Sequence, residues 1–142
     1  MKIGLELEGH LIDETGTLSN KALEVIADSR NNGDIIPELS KTMWEVIAPP
    51  EHDLGKTYDS FKERLILLNE IANDYGLRAM PVSSLHNESK VESRDYERPR
   101  GMRKRIILKD EKRDLEHHLT GTHVHVDRIN GDERAYNQFL LM

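Results

Sequence analysis

The sequence predicts a mixed α+β fold, with one sheet covered by helices. Three observations carry that expectation. Residues 2–12 and 121–128 alternate apolar and polar side chains, the period of a half-buried strand. Residues 54–75 repeat apolar side chains at gaps of four and three, the period of an amphipathic helix. Strand-like and helix-like stretches succeed one another in the order β, α, β, β, α, β, loop, β, α, a pattern of mixed rather than all-helical or all-strand architecture.

Each element has its own justification. In residues 2–12, Ile3, Leu5, Leu7 and Leu11 fall on one strand face, and Lys2, Glu6, Glu8 and His10 on the other. Asp13-Glu14-Thr15-Gly16 reads as a turn. Ser19 is placed to cap a helix carrying Ala22, Leu23, Ile26 and Ala27, with Gly33 just past its end. Residues 34–49 read as extended chain, first Ile35 and Ile36 before Pro37, then a mostly apolar run with Trp44, Val46 and Ile47. Pro49-Pro50 is expected to stop that strand, because proline has no N–H to give a ladder. The clearest helix follows, with Leu54, Tyr58, Phe61, Leu65, Leu68, Ala72 and Tyr75 on one side and Gly76 as its stop. Residues 77–85 read as a strand running into a loop. Residues 87–105 are polar and rich in arginine, the composition of a long loop or mobile segment with some helix. Residues 121–128 return to strand, and 132–142 begin a helix with Ala135, Tyr136, Phe139 and Leu140 on one side.

A length of 142 residues suits one domain with a real core and is too short for two ordinary ones. The chain closes on Phe139-Leu140-Leu141-Met142, apolar and without a cap. The expectation is therefore that residues 1–142 form a single domain, with more chain belonging after Met142. Twenty basic against twenty-six acidic side chains give a net charge of −6, which argues against a general nucleic-acid binder. No apolar run reaches the roughly 18 residues of a membrane span. Two glutamates interrupt the N-terminal stretch where the apolar core of a signal peptide would lie. The chain has no cysteine, hence no disulfide, thiolate ligand or cysteine nucleophile. The expected location is the cytoplasm.

Several polar residues stand where chemistry is possible. Glu6 and Glu8 are two apart on one strand, so both carboxylates project from the same face. They are either an ordinary solvent-facing pair or a site for a cation such as Mg²⁺ or Mn²⁺, which prefers carboxylate oxygen. Glu45 lies within Met43-Trp44-Glu45-Val46-Ile47, apolar on both sides. A carboxylate buried there needs a metal or a partner, and Lys41 is the nearby candidate for a salt bridge. Glu38 follows Pro37 and fits a turn equally well. His123, His125 and Asp127 share one strand face opposite Val124 and Val126, which are expected to pack on the core. Two imidazoles so placed are either metal ligands or structural. His117-His118 reads as a helix-end or exposed pair. Arg94, Arg98, Arg100, Arg103, Lys104 and Arg105 either face phosphate or carboxylate, or balance Glu88, Glu92, Asp95 and Glu97 in a solvated loop. Neither a Gly-x-x-x-x-Gly-Lys loop nor a Gly-x-Gly-x-x-Gly motif occurs, so any ATP is held by other means.

Three motifs in this order resemble the N-terminal half of the glutamate–cysteine ligase family, specifically family 2, the bacterial and archaeal carboxylate–amine ligase branch. They are Gly4-Leu5-Glu6-Leu7-Glu8, then Glu38-Leu39-Ser40-Lys41-Thr42-Met43-Trp44-Glu45-Val46 with Pro49, then Gly121-Thr122-His123-Val124-His125-Val126. The resemblance implies a curved antiparallel sheet like that of the glutamine synthetase catalytic domain, its concave face holding metals and ATP. It implies ATP-dependent joining of a carboxylate to an amine through an acyl phosphate, most naturally glutamate to cysteine or a similar amine. By it, Glu6 and His123 hold the cation that bridges the ATP phosphates. Glu8, Glu38 and Glu45 hold a second cation nearer the amino-acid substrate, and His125 contacts substrate. The partners it implies are amino-acid substrates and ATP with Mg²⁺ or Mn²⁺, and neither nucleic acid nor membrane. Family members are more than twice as long, and their second half supplies another metal-binding Glu and an Arg. A sheet lacking that half would expose an edge and favour a homo-oligomer.

Two other readings compete. A non-catalytic or half-site relative would bind nucleotide or a partner without turnover. A metal-dependent hydrolase would use His123-x-His125-x-Asp127, the start of a His-x-His-x-Asp-His pattern, but Arg128 occupies the last position.

Overall fold

The computed structural model describes residues 1–82, 84–85, 91–92 and 120–127. The Arg-rich group at 94–105, His117-His118, Arg128 and the helix expected over 132–142 lie outside the described residues. Among the described residues the elements are β1 (Ile3–Asp13), α1 (Ala22–Ile26), β2 (Ile35–Pro37), β3 (Met43–Glu51), α2 (Leu54–Asp74), β4 (Leu77–Met80) and β5 (Thr122–Val126). The class is α+β, as the sequence predicts, and among the described residues every strand pairing is antiparallel.

β1 is the organising strand. One side pairs with β3, which in turn pairs with β2. Its other side is shared, with β5 beside Ile3–Leu7 and β4 beside His10–Asp13. The alternation seen in the sequence assigns the two faces. Leu7 and Leu11 of β1, Trp44 and Val46 of β3, Ile35 of β2 and Leu77 of β4 face the helices, and with Ala22, Val25, Leu68, Ile71 and Ala72 they make the core. α2 packs on β3, β1 and β4. Its N-terminus is capped by the Asp53 carboxylate, which accepts from the Gly55 N–H at 2.8 Å. Its C-terminus stops at Gly76, whose φ of 70° suits glycine. Gly9 is required by packing: a Cβ there would lie 2.6 Å from the Met80 carbonyl and inside the space of the Trp44 ring.

Three local expectations are corrected. Ser19 does not cap α1. The chain is still tied to β1 there, with the Ser19 N–H donating to the Leu11 carbonyl and Leu18 bridging Ile12, so the helix begins only at Ala22 and leaves Leu23 exposed. Pro49-Pro50 does not end β3, which continues to Glu51. β2 reaches only Val46, so the prolines lie beyond it, and an irregularity in the β1 register between Ile3 and Leu5 absorbs them. Val124 is not in the core but 54% exposed, because β5 extends past the cover of α2. His10 shares the face of Glu6 and Glu8 yet is fully buried, its Nδ1 hydrogen-bonded to Thr42 Oγ1 at 2.7 Å. No helix among the described residues is long and apolar enough to cross a membrane.

Candidate metal centre

The face of the sheet turned away from the helices gathers the acidic and imidazole side chains. Period two places Glu6 and Glu8 there from β1. Register then brings Glu45 of β3 directly opposite Glu8, His123 of β5 opposite Glu6, and His125 opposite Gly4. Gly4 offers no side chain, and His125 leans along β1 onto Glu6. A single oxygen, Glu6 Oε2, lies 3.2 Å from His123 Nδ1 and 2.8 Å from His125 Nε2. The Gly121 N–H donates to Glu8 Oε2 at 2.8 Å, and the Glu8 N–H returns a bond to the Gly121 carbonyl at 2.9 Å. A Cβ on Gly121 would come within 2.8 Å of His123 Nε2, so this residue gives the imidazole its room.

The electrostatics follow from crowding carboxylates on a sheet. Glu45 is only 7% exposed. Burial pushes its carboxyl up from 4.5 to about 8, and the charges of Glu38, Glu6 and Glu8 and a hydrogen bond with Glu38 act in the same direction. Burial also raises the Glu8 carboxyl and outweighs the Gly121 N–H, with the charges of Glu38 and Glu6 adding to the rise. Burial would raise Glu6 as well, but hydrogen bonding and charge from His125, with hydrogen bonds from His123 and Glu45, bring it below its ordinary value. Near neutral pH the cluster therefore keeps a proton that an isolated set of glutamates would release.

Two overlapping groups have ligand atoms within 4.8 Å of one another: Glu6 with His123 and His125, and Glu8 with Glu45 and His123. Carboxylate oxygen with imidazole nitrogen suits a divalent cation, whose charge would do what the retained proton now does. The donor set therefore fits the metal that the sequence motifs imply. Glu38 belongs to neither group but hydrogen-bonds Glu45 at its margin. Asp127 also belongs to neither, which weakens the His-x-His-x-Asp hydrolase pattern. The Lys41 ammonium reaches Glu92 at 2.7 Å. Sequence reasoning did not single out Gly121 for a role, although it stands at the head of the His motif. His10 shares the strand face of Glu6 and Glu8, where nothing in the local pattern marks its burial.

Fold and site together define an α+β sheet domain with an acidic and imidazole cluster on the sheet face opposite α1 and α2. No family model and no characterised protein sequence matches the chain. Among solved structures it is similar to the crystal structure of a bifunctional glutathione synthetase from Pasteurella multocida, with a TM-score of 0.62 over 99% of this chain at 17% identity. The chain spans 19% of that protein's length. The likeness is one of fold.

Proposed function

We propose that this chain forms the metal- and nucleotide-binding wall of an ATP-dependent carboxylate–amine ligase of the glutamate–cysteine ligase type. The observation that carries the reading is the convergence of Glu6, Glu8, Glu45, His123 and His125 from three strands onto one side of an antiparallel sheet. The motifs that supply these residues, and the fold likeness to part of a glutathione synthetase, point the same way.

In the proposed reaction a substrate carboxylate oxygen attacks the γ-phosphorus of ATP. The bond from that phosphorus to the β,γ-bridging oxygen breaks, giving an acyl phosphate and ADP. An amine then attacks the acyl carbon, phosphate leaves with the C–O electron pair, and the amine proton passes to solvent or base. No side-chain nucleophile is needed. Mg²⁺ or Mn²⁺, when bound, would screen the carboxylate from the triphosphate, since both are anionic. Glu6 and His123 would hold the cation at the ATP phosphates. Glu8 and Glu45, with Glu38 beside them, would hold the one nearer the amino-acid carboxylate. His125, set against Glu6 and open to solvent, would orient Glu6 and meet the substrate. Glutamate with cysteine or a similar amine is the substrate pair this reading names.

Hydroxylamine traps acyl phosphates as hydroxamates and so tests the reaction without knowledge of the amine. With ATP, Mg²⁺ and glutamate, the wild-type chain should form ADP and hydroxamate in equal amounts, and Glu6→Ala should form neither. ADP release unchanged in Glu6→Ala would remove the metal assignment. Nucleotide binding without hydroxamate would favour the half-site reading.

A further inference from the structure

We infer that Glu6, His123 and His125 form a nitrogen-rich site that takes a late first-row divalent cation, of the Zn²⁺ or Co²⁺ kind, in preference to Mg²⁺ or Mn²⁺. The inference rests on the metal reading above and deepens it, with His125 serving as a ligand whenever such a cation is bound.

β1 and β5 bring the three donors to one place. His123 lies opposite Glu6 and His125 opposite Gly4, so both imidazoles come to a single carboxyl on one face of the sheet. Glu6 Oε2 is 3.2 Å from His123 Nδ1 and 2.8 Å from His125 Nε2. Ligand atoms of all three residues lie within 4.8 Å of one another. The two rings meet edge to face, 80° apart in plane with centroids separated by 6.3 Å. They therefore approach the one oxygen from different directions, as ligands around a common centre do.

These separations are close to those of a filled site. Zn²⁺ binds imidazole nitrogen and carboxylate oxygen at about 2.0–2.2 Å, so neighbouring donors in a tetrahedral shell stand about 3.3–3.6 Å apart. The imidazoles are half exposed and have room to turn outward by the small difference. Three protein donors leave a position on a four-coordinate cation for water or a phosphate oxygen.

Donor type decides which cation the site favours. Mg²⁺ is held by oxygen, from one or two carboxylates and its own retained waters. Imidazole nitrogen suits Zn²⁺ and the later transition metals, and Mn²⁺ stands lowest in the first-row order of affinity. Two nitrogens to one carboxylate is the set of a late metal. The neighbouring group has the reverse ratio, Glu8 and Glu45 to the single imidazole of His123. Most sites hold Zn²⁺ more tightly than Mn²⁺, so the decisive quantity is how far the preference depends on His125.

The test uses the full chain, stripped of metal, in a His117→Ala/His118→Ala background, because adjacent imidazoles take up Zn²⁺ on their own account. Zn²⁺ affinity is read by competition with a chromophoric chelator, and Mn²⁺ affinity from the electron paramagnetic resonance of free Mn²⁺. His125→Gln keeps an N–H donor for Glu6 and removes the ligating nitrogen. It should weaken Zn²⁺ binding about tenfold or more, since losing even a group behind a ligand usually costs about 10–100-fold. Mn²⁺ binding should stay within about twofold of wild type. Co²⁺ bound to the wild-type site should give the strong visible bands of a four- or five-coordinate ion, a readout that needs no variant at His125. Equal Zn²⁺ affinity in wild type and His125→Gln overturns the inference, as do Co²⁺ bands of octahedral weakness. An equal loss of Zn²⁺ and Mn²⁺ affinity overturns it too, since that marks His125 as a group that only positions Glu6. In each of these cases Mn²⁺ binding that Glu45→Gln abolishes leaves the metal reading standing. A wild-type chain that takes up neither Zn²⁺ nor Mn²⁺ overturns the metal reading and the inference with it.

Discussion

Glu45→Gln should make the metal-free protein more stable at alkaline pH and leave it nearly unchanged in acid. The Glu45 carboxyl titrates at about 8 in the folded chain against an ordinary value of 4.5. Between those values the folded state keeps a proton that the unfolded chain has released. Stability therefore falls as pH rises through that window, and is flat below and above it. At about 1.4 kcal/mol for each pH unit, the window corresponds to a ceiling of about 5 kcal/mol. The Glu8 carboxyl is raised beside it, so this neighbour can take up part of the role and the measured effect should be about half the ceiling. Gln reproduces the protonated form: it is uncharged, of the same shape, and donates to the same carboxylates. Urea unfolding at pH 5, 6.5 and 8 in the presence of a chelator supplies the comparison. Wild type should lose about 2–3 kcal/mol between pH 5 and 8, and Glu45→Gln much less. Parallel pH dependences in the two proteins would refute the claim that crowding at Glu45 holds the proton.

Other substitutions separate the site from the scaffold. Gly121→Ala places a methyl group against His123 and should weaken Mn²⁺ binding about tenfold with little change in Tm, as followed by titration and thermal melts; unchanged binding would show that the imidazole has room to turn. Gly9→Ala intrudes on Trp44 and the Met80 carbonyl and should cost about 3 kcal/mol in urea unfolding. Trp44→Ala, which empties the centre of the core, should cost about 3–5 kcal/mol by the same assay, and a small loss would mean that the sheet and α2 close over the gap.

Much of this architecture is legible in the sequence because period two leaves few choices. Once Leu7, Leu11, Trp44 and Val46 are committed to the core, Glu6, Glu8 and Glu45 must share the opposite face. What alternation does not give is which strands are neighbours. Nothing local says that β5, more than a hundred residues after β1, lies beside it and sets His123 opposite Glu6. That juxtaposition came only from the resemblance of three separated motifs. Burial is also non-local. His10 looks like one more exposed polar residue in the strand pattern, yet the β2–β3 turn folds over it and supplies Thr42. The same blindness explains Pro49-Pro50: whether proline ends a strand depends on which neighbour needs its missing N–H, and here β2 does not extend that far.

The proposed function requires the cluster of Glu6, Glu8, Glu45 and His123 to bind a divalent cation that in turn holds ATP. Calorimetric titration of ATP into the metal-free chain, with and without Mn²⁺, tests it most directly. ATP should bind only when Mn²⁺ is present, and that binding should be lost in Glu6→Ala with the fold intact. ATP binding of equal strength in the chelator, or no Mn²⁺ uptake by a folded wild-type chain, would contradict it.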